Sequence, residues 1–154
     1  MYALWMYFLG HMALGYFAAS STGKTTGTKY RLLLVWFFSM LPDIDLLLPF
    51  MSHRGATHSL AAILVLASIC LVRRELLPYA ASYASHIIAG DYITGGVQFL
   101  WPLTDAVFGV NLLLQPSLLE TAVEIILFAA MLSLPQFKKE WAQEKELLSP
   151  VISH

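Results

Sequence analysis

Arg31-Leu32-Leu33-Leu34-Val35-Trp36-Phe37-Phe38-Ser39-Met40-Leu41-Pro42-Asp43-Ile44-Asp45 begins as an almost wholly apolar helix and ends on a proline and two carboxylates. Proline lacks the backbone donor that a helix interior requires, so it breaks or kinks the helix there. Asp43 then stands at the start of a new helical turn, where N–H groups are unpaired and the dipole end is positive. Capping accounts for one carboxylate. It does not account for two, because residues i and i+2 point to different sides of a helix. Two carboxylates at a break inside an apolar run favour a divalent ion. Asp43 and Asp45 are then either ligands of two metals or one ligand and one base.

The rest of the chain has the same character. It is 58% hydrophobic and 12% charged, with a mean hydropathy of +0.66, whereas soluble domains average about 25% charged. Apolar runs cover residues 2–20, 32–51, 60–72, 76–93 and 112–134. The expected fold is all-α, a polytopic membrane bundle of about five spans, some kinked or short, with a metal site between helices. Residues 1–135 form the membrane-embedded domain. Residues 136–154 form a polar tail, read as a cytoplasmic helix or frayed end. The first run lacks a basic leader and a small-residue cleavage signature, so it reads as a retained span. Cys70 is single, which excludes a disulfide framework and a cysteine-rich zinc site. A net charge of −1 gives no reason to expect nucleic-acid binding.

Polar residues are concentrated in five short signatures that hold every Asp and all His except His154. They are Gly10-His11, Pro42-Asp43-Ile44-Asp45, His53-Arg54-Gly55-Ala56-Thr57-His58-Ser59, Ser85-His86 with Asp91, and Trp101-Pro102-Leu103-Thr104-Asp105. Ionisable groups are costly in hydrocarbon and persist where they pair, line a wet cavity or bind an ion. Lys24, Lys29, Arg31, Arg73, Arg74, Lys138, Lys139 and Lys145 fall in alternate loops and the tail, so those segments are cytoplasmic, with the N-terminus outside and the C-terminus inside. Counted from the basic ends, His11, Asp43, His58 and His86 then lie at similar depth, about 16–23 Å above the inner face.

Each signature has its own logic. His11, between Gly10 and Gly15, is either a ligand or a histidine bonded across a small-residue helix contact. Thr57 is a suitable N-cap for the helix that His58 begins, and neutral imidazole is a common zinc ligand. Arg54 offers a fixed fork for a phosphate or carboxylate. His86 and Asp91, five residues apart, lie roughly 140° apart on a regular helix. They converge only if the helix carries a π-bulge or loosens at Gly90. Trp101-Pro102 reads as an interfacial turn, with Asp105 a solvated loop residue. Glu120 lies close to the same layer as a ligand or a supporting partner, and Glu124 reads as a hydrogen-bonded bundle carboxylate.

These strings, LPDID, HRG-x-THS and Ser85-His86 with Asp91-Tyr92-Ile93-Thr94 and Trp101-Pro102, resemble the membrane-bound metal-dependent hydrolases often called YdjM-like. The likeness runs in motif order from Gly10-His11 to Trp101-Pro102. That family is similar, distantly, to zinc-dependent phospholipase C and the zinc-dependent single-strand nucleases. The resemblance implies that His11, Asp43, Asp45, His58, His86 and Asp91 are metal ligands, with His53 and Arg54 as ligand or substrate-binding groups. The family pattern usually has four positions from the His to the Asp, where this chain has five.

The expected function is a membrane-embedded hydrolase of a phosphoester, lipid or lipid-linked, using metal-activated water with zinc as the ion. Asp43 or Asp45 would act as base and Arg54 as phosphate clamp. A divalent-cation carrier and a membrane protein with a purely structural metal are the alternatives. A carrier needs a polar route to both sides, and no polar residues continue the path into the cytoplasmic half.

Overall fold

The apolar runs become helices, but two of them are interrupted. The computed structural model describes residues 3–48, 50–110 and 118–149. Helix α1 (Ala3–Thr26) leads to α2 (Leu32–Met40), which passes at Pro42 into a 3-10 helix over Leu41–Leu47. Proline fits the first turn of that segment, where its missing N–H has no partner to lose. Helix α3 (Leu60–Val72) turns into α4 (Leu77–Ser85), which widens into a π-helix over His86–Asp91 and closes with a short α5 (Tyr92–Thr94). Helices α6 (Leu118–Ser133) and α7 (Pro135–Leu148) end the described chain. Residues 112–117, the start of the fifth expected span, lie outside the described residues.

The all-helical expectation holds; the helix lengths differ from it. No single helix among the described residues is long and apolar enough to cross a membrane. Only α6 and α7 together meet that demand, bent by 73° between them. The physical reason lies in the interruptions. The 32–51 and 76–93 runs are divided by Pro42 and by the π-helix, and α1 turns polar from Ser20 to Thr26.

Helix α1 is the axis, packed against α2, α4 and α6. Its crossing with α2 and α4 is close because the residues there are small. A Cβ on Gly15 would lie 2.6 Å from both Ser39 Cβ and Ser82 Oγ, so glycine is needed for this approach. Tyr16, Leu32, Met131 and Phe137 form one apolar core, with the Tyr16 and Phe137 rings edge to face at 5.3 Å. Tyr83, Ile87 and Val97 form another beneath the polar centre. The segment after α5 is held by the bridge between Val97 and Phe108, and its Phe99 carbonyl accepts from Leu60 N at 2.8 Å.

The polar tail is not frayed over its described part. Phe137 is buried, and Glu144 caps α2 by accepting from Leu32 N at 3.2 Å and from the Arg31 guanidinium at 2.9 and 3.0 Å. A carboxylate there meets the positive end of the α2 dipole. Tyr30 donates to Glu140 at 2.9 Å, and burial pushes its phenol up to about 12, so it remains a donor at neutral pH. Arg31 N also donates to Tyr79 at 3.0 Å, which brings the α1–α2 loop, the start of α4 and α7 to one end.

Phe137→Ala should cost about 3 kcal/mol by removing a buried ring. Limited proteolysis in detergent should then release the C-terminal segment before the bundle unfolds. Equal cleavage of wild type and variant would mean that this packing does not hold α7 in place.

Candidate metal centre

Two irregular helices and one turn bring the centre together. The π-helix fits i→i+5 geometry, so His86 and Asp91 come to one side, with Nε2 3.4 Å from Oδ2. The 3-10 helix sends Asp43 and Asp45 to opposite edges of one imidazole. Asp43 Oδ1 lies 3.5 Å from His58 Nε2, and Asp45 Oδ2 lies 3.2 Å from His58 Nδ1. His58 ends a short 3-10 turn, Ala56–His58, before α3.

Four ligand atoms, from Asp43, His58, His86 and Asp91, lie within 4.8 Å of one another. His58 Nε2 is 3.3 Å from His86 Nε2 and 3.0 Å from Asp91 Oδ2, and His86 Nε2 is 3.5 Å from Asp43 Oδ1. Four atoms about 2.0–2.1 Å from one ion in a tetrahedron are spaced by about 3.3–3.4 Å. The donor set therefore fits a small divalent ion.

Proton bookkeeping supports the same conclusion. His86 Nδ1 lies 2.6 Å from the Ser39 carbonyl oxygen, which can only accept, so this nitrogen carries a proton. His58 Nδ1 faces the Asp45 carboxylate in the same way. In neutral rings both Nε2 atoms then present lone pairs to each other and to two carboxylates. Asp91 Oδ2 is buried and accepts no hydrogen bond. Two imidazoliums at this separation would repel in a pocket screened from water. One divalent ion would satisfy all four groups, and in its absence one protonated ring donating from His58 Nε2 to Asp91 Oδ2 would do so.

The supporting residues are as specific as the four. Asp45 also accepts from Arg54 N at 3.0 Å, from Thr57 Oγ1 at 3.0 Å, and sits 3.1 Å from His53 Nδ1. Its main geometric relation is thus to His58, as the carboxylate that fixes a ligand ring. Asp43, Asp45 and His53 form a second close group, which shares Asp43 with the first and is open to solvent at His53. Arg54 donates from Nη2 to Asp91 Oδ1 at 3.0 Å, and its Nη1 occupies the space that a Cβ on Gly95 would fill. Its φ of 62° is unusual for a residue with a side chain, and is held by Asp45 on its N–H and Gln98 on its carbonyl.

Two expected ligands, His11 and Glu120, belong to neither group. His11 stacks on His86, ring centroids 3.8 Å apart, with Nε2 3.8 Å from Asp91 Oδ1. Glu120 is buried, and lines a separate cavity with Gly10, His11, Gly90 and Glu124. Asp105 is exposed, as expected of a loop. Thr57 is not the N-cap of α3: Ser59 takes that place by accepting from Ala62 N at 3.2 Å, and Thr57 turns to Asp45. Sequence reasoning missed the Ser39 carbonyl, which as a backbone group leaves no trace in side-chain identity. It also missed Tyr83, whose hydroxyl donates to the Thr57 carbonyl.

Gly90 makes the stack possible, because a Cβ there would lie 2.2 Å from His11 Cε1. Gly90→Ala should destabilise the protein by about 1–3 kcal/mol through this overlap. In the Gly90→Ala background, His11→Ala should recover part of the loss, as coupled neighbours do. Additive losses in thermal unfolding would mean that the two residues do not meet.

A family model described as YdjM inner membrane protein matches residues 6–148. No curated protein and no solved structure matches the chain. The match covers nearly the whole sequence, including every residue of the centre, and the chain belongs to the YdjM inner membrane protein family.

Proposed function

We propose that the protein is a membrane-embedded, metal-dependent hydrolase of a phosphoester carried by a lipid or lipid-linked group. The observation that carries this reading is a buried set of four acceptors sharing Asp43 with a second, solvent-open group. A purely structural site needs only the first. Phosphoester chemistry is the class that the distant similarity expected between this family and zinc-dependent phospholipase C and single-strand nucleases would imply.

Asp43, His58, His86 and Asp91 would hold the ion, with Asp45 and His53 lining the solvent-open side of Asp43. Zinc is the leading candidate, and a bound ion of this kind supplies Lewis acidity toward water and the phosphoryl oxygen. Asp45 and the Ser39 carbonyl keep the two rings in the tautomer that offers Nε2. Asp45 is enclosed by four donors, so Asp43, with its side chain 21% exposed, is the better base. Water attacks phosphorus while its proton passes to the outer oxygen of Asp43. The ester P–O bond breaks, and the leaving oxygen takes a proton from His53, held at Nδ1 by Asp45. Arg54, tied to Asp91 through Nη2, has a buried Nε without a protein partner that a phosphoryl oxygen would satisfy.

The purified protein should carry zinc, and a His58→Ala, His86→Ala double variant should carry none. In a panel of phospholipids and lipid-linked phosphates, Asp43→Asn should lower kcat by roughly 10²–10⁴-fold. Arg54→Gln should raise KM more than it lowers kcat, as for a group that binds ground and transition states alike. Full zinc content without hydrolysis of any phosphoester would leave a structural metal, and metal-dependent cation flux in proteoliposomes would make the protein a carrier.

The same reading places the protein in the inner membrane as a multi-pass protein, N-terminus outside and C-terminus cytoplasmic. The meeting of Arg31, Tyr79 and Glu144 supports a single basic end. In a Cys70→Ala background, Ser52→Cys should label from outside intact cells and Ser149→Cys should not. The reverse pattern would invert the topology.

A further inference from the structure

The exposed member of the centre is Asp43. Of its four residues, His58, His86 and Asp91 have side chains 3% exposed or less, and only Asp43 is open, at 21%. Asp43 is also the one charged residue in a groove of about 480 Å³ whose remaining lining is aliphatic or aromatic, Trp36 included. Phe8 and Met12 of α1 form one wall. Leu33, Phe37 and Met40, spaced i, i+4 and i+7 along one face of α2, form the other, continued by Ile44 of the 3-10 segment. From Leu33 to Ile44 this wall runs about 18 Å. It remains open in the folded protein, with Phe37 57% and Leu47 79% exposed.

We infer that this groove takes the alkyl chain of a phosphate-bearing lipid and delivers its headgroup to Asp43. Three observations select that occupant. The groove ends at Asp43, the exposed member of the centre, so its contents and the reacting group belong to one molecule. Apart from the Trp36 indole N–H, its walls lack the donors and acceptors that a sugar or nucleotide needs. Its direction also fits: from Asp43 it runs back along α2 toward Arg31 and the basic end. A lipid of the outer leaflet would lie this way, headgroup at the centre and chain directed inward. In a bilayer such a surface contributes selection by shape rather than a hydrophobic driving force. The substrate thus enters sideways from the membrane. The headgroup assignment rests on the hydrolase reading; the groove itself does not.

The test uses the full chain in detergent with zinc present and hexadecyl phosphate carrying a diazirine in mid-chain. Photolabel should fall on α2 between Leu33 and Ile44 at least roughly tenfold above the exposed face of α3, around Leu64, Val65 and Leu71. Unlabelled hexadecyl phosphate should displace it, and glycerol phosphate should not. Equal labelling of the two helices, or displacement by glycerol phosphate, would overturn the groove whatever the activity. In hydrolysis, Leu33→Trp fills the far end and should lower the hexadecyl-to-hexyl preference in kcat/KM roughly tenfold. An undiminished preference would also overturn it. Groove-specific labelling without turnover of any alkyl phosphate would support the groove and refute the hydrolase.

Discussion

Two imidazole nitrogens that face each other at 3.3 Å, with both opposite edges already committed to acceptors, are the constraint on which the molecule depends. Such a pair cannot be satisfied by a hydrogen bond between them when both rings are neutral. Two carboxylates add charge of the same sign as the lone pairs. Away from water, neutral rings and ionised carboxylates in this arrangement are unfavourable alone, and become favourable around a cation or with one ring protonated. The surrounding hydrogen bonds all serve to keep it. Asp45 holds His58, Ser39 holds His86, and Arg54 is split between Asp91 by its side chain and Asp45 by its backbone.

Much of this was legible in the residues. The depth count grouped His11, Asp43, His58 and His86, and the structure brings three of them together and stacks the fourth on His86. The condition for His86 and Asp91 to meet was a π-bulge, and a π-helix covers those residues. The all-helical class followed from composition. What could not be read is the division of labour. Asp43 and Asp45 look alike in sequence, yet one faces Nε2 and the other Nδ1 of the same ring. That distinction depends on whether the turn after Pro42 winds as α or as 3-10, which the sequence leaves open. The docking of α7 was similarly hidden, because Phe137 and Trp141 are sparse apolar residues in a charged segment.

The short helices and the metal centre have a common cause. A regular helix through residues 32–51 would place Asp43 and Asp45 on turns that cannot grip one imidazole, and a regular helix through 76–93 would separate His86 from Asp91. Each irregular segment gives up some backbone regularity to bring two polar groups into register, as π-bulges and long 3-10 runs often do at functional sites. The interruptions that make the continuous helices too short to cross a membrane are therefore the ones that build the site. Irregular backbone at membrane depth is tolerated where it is buried in protein or lines a cavity. Here the 3-10 segment does both. Asp45 is buried against His58, while Asp43, two residues before it, opens onto the apolar groove.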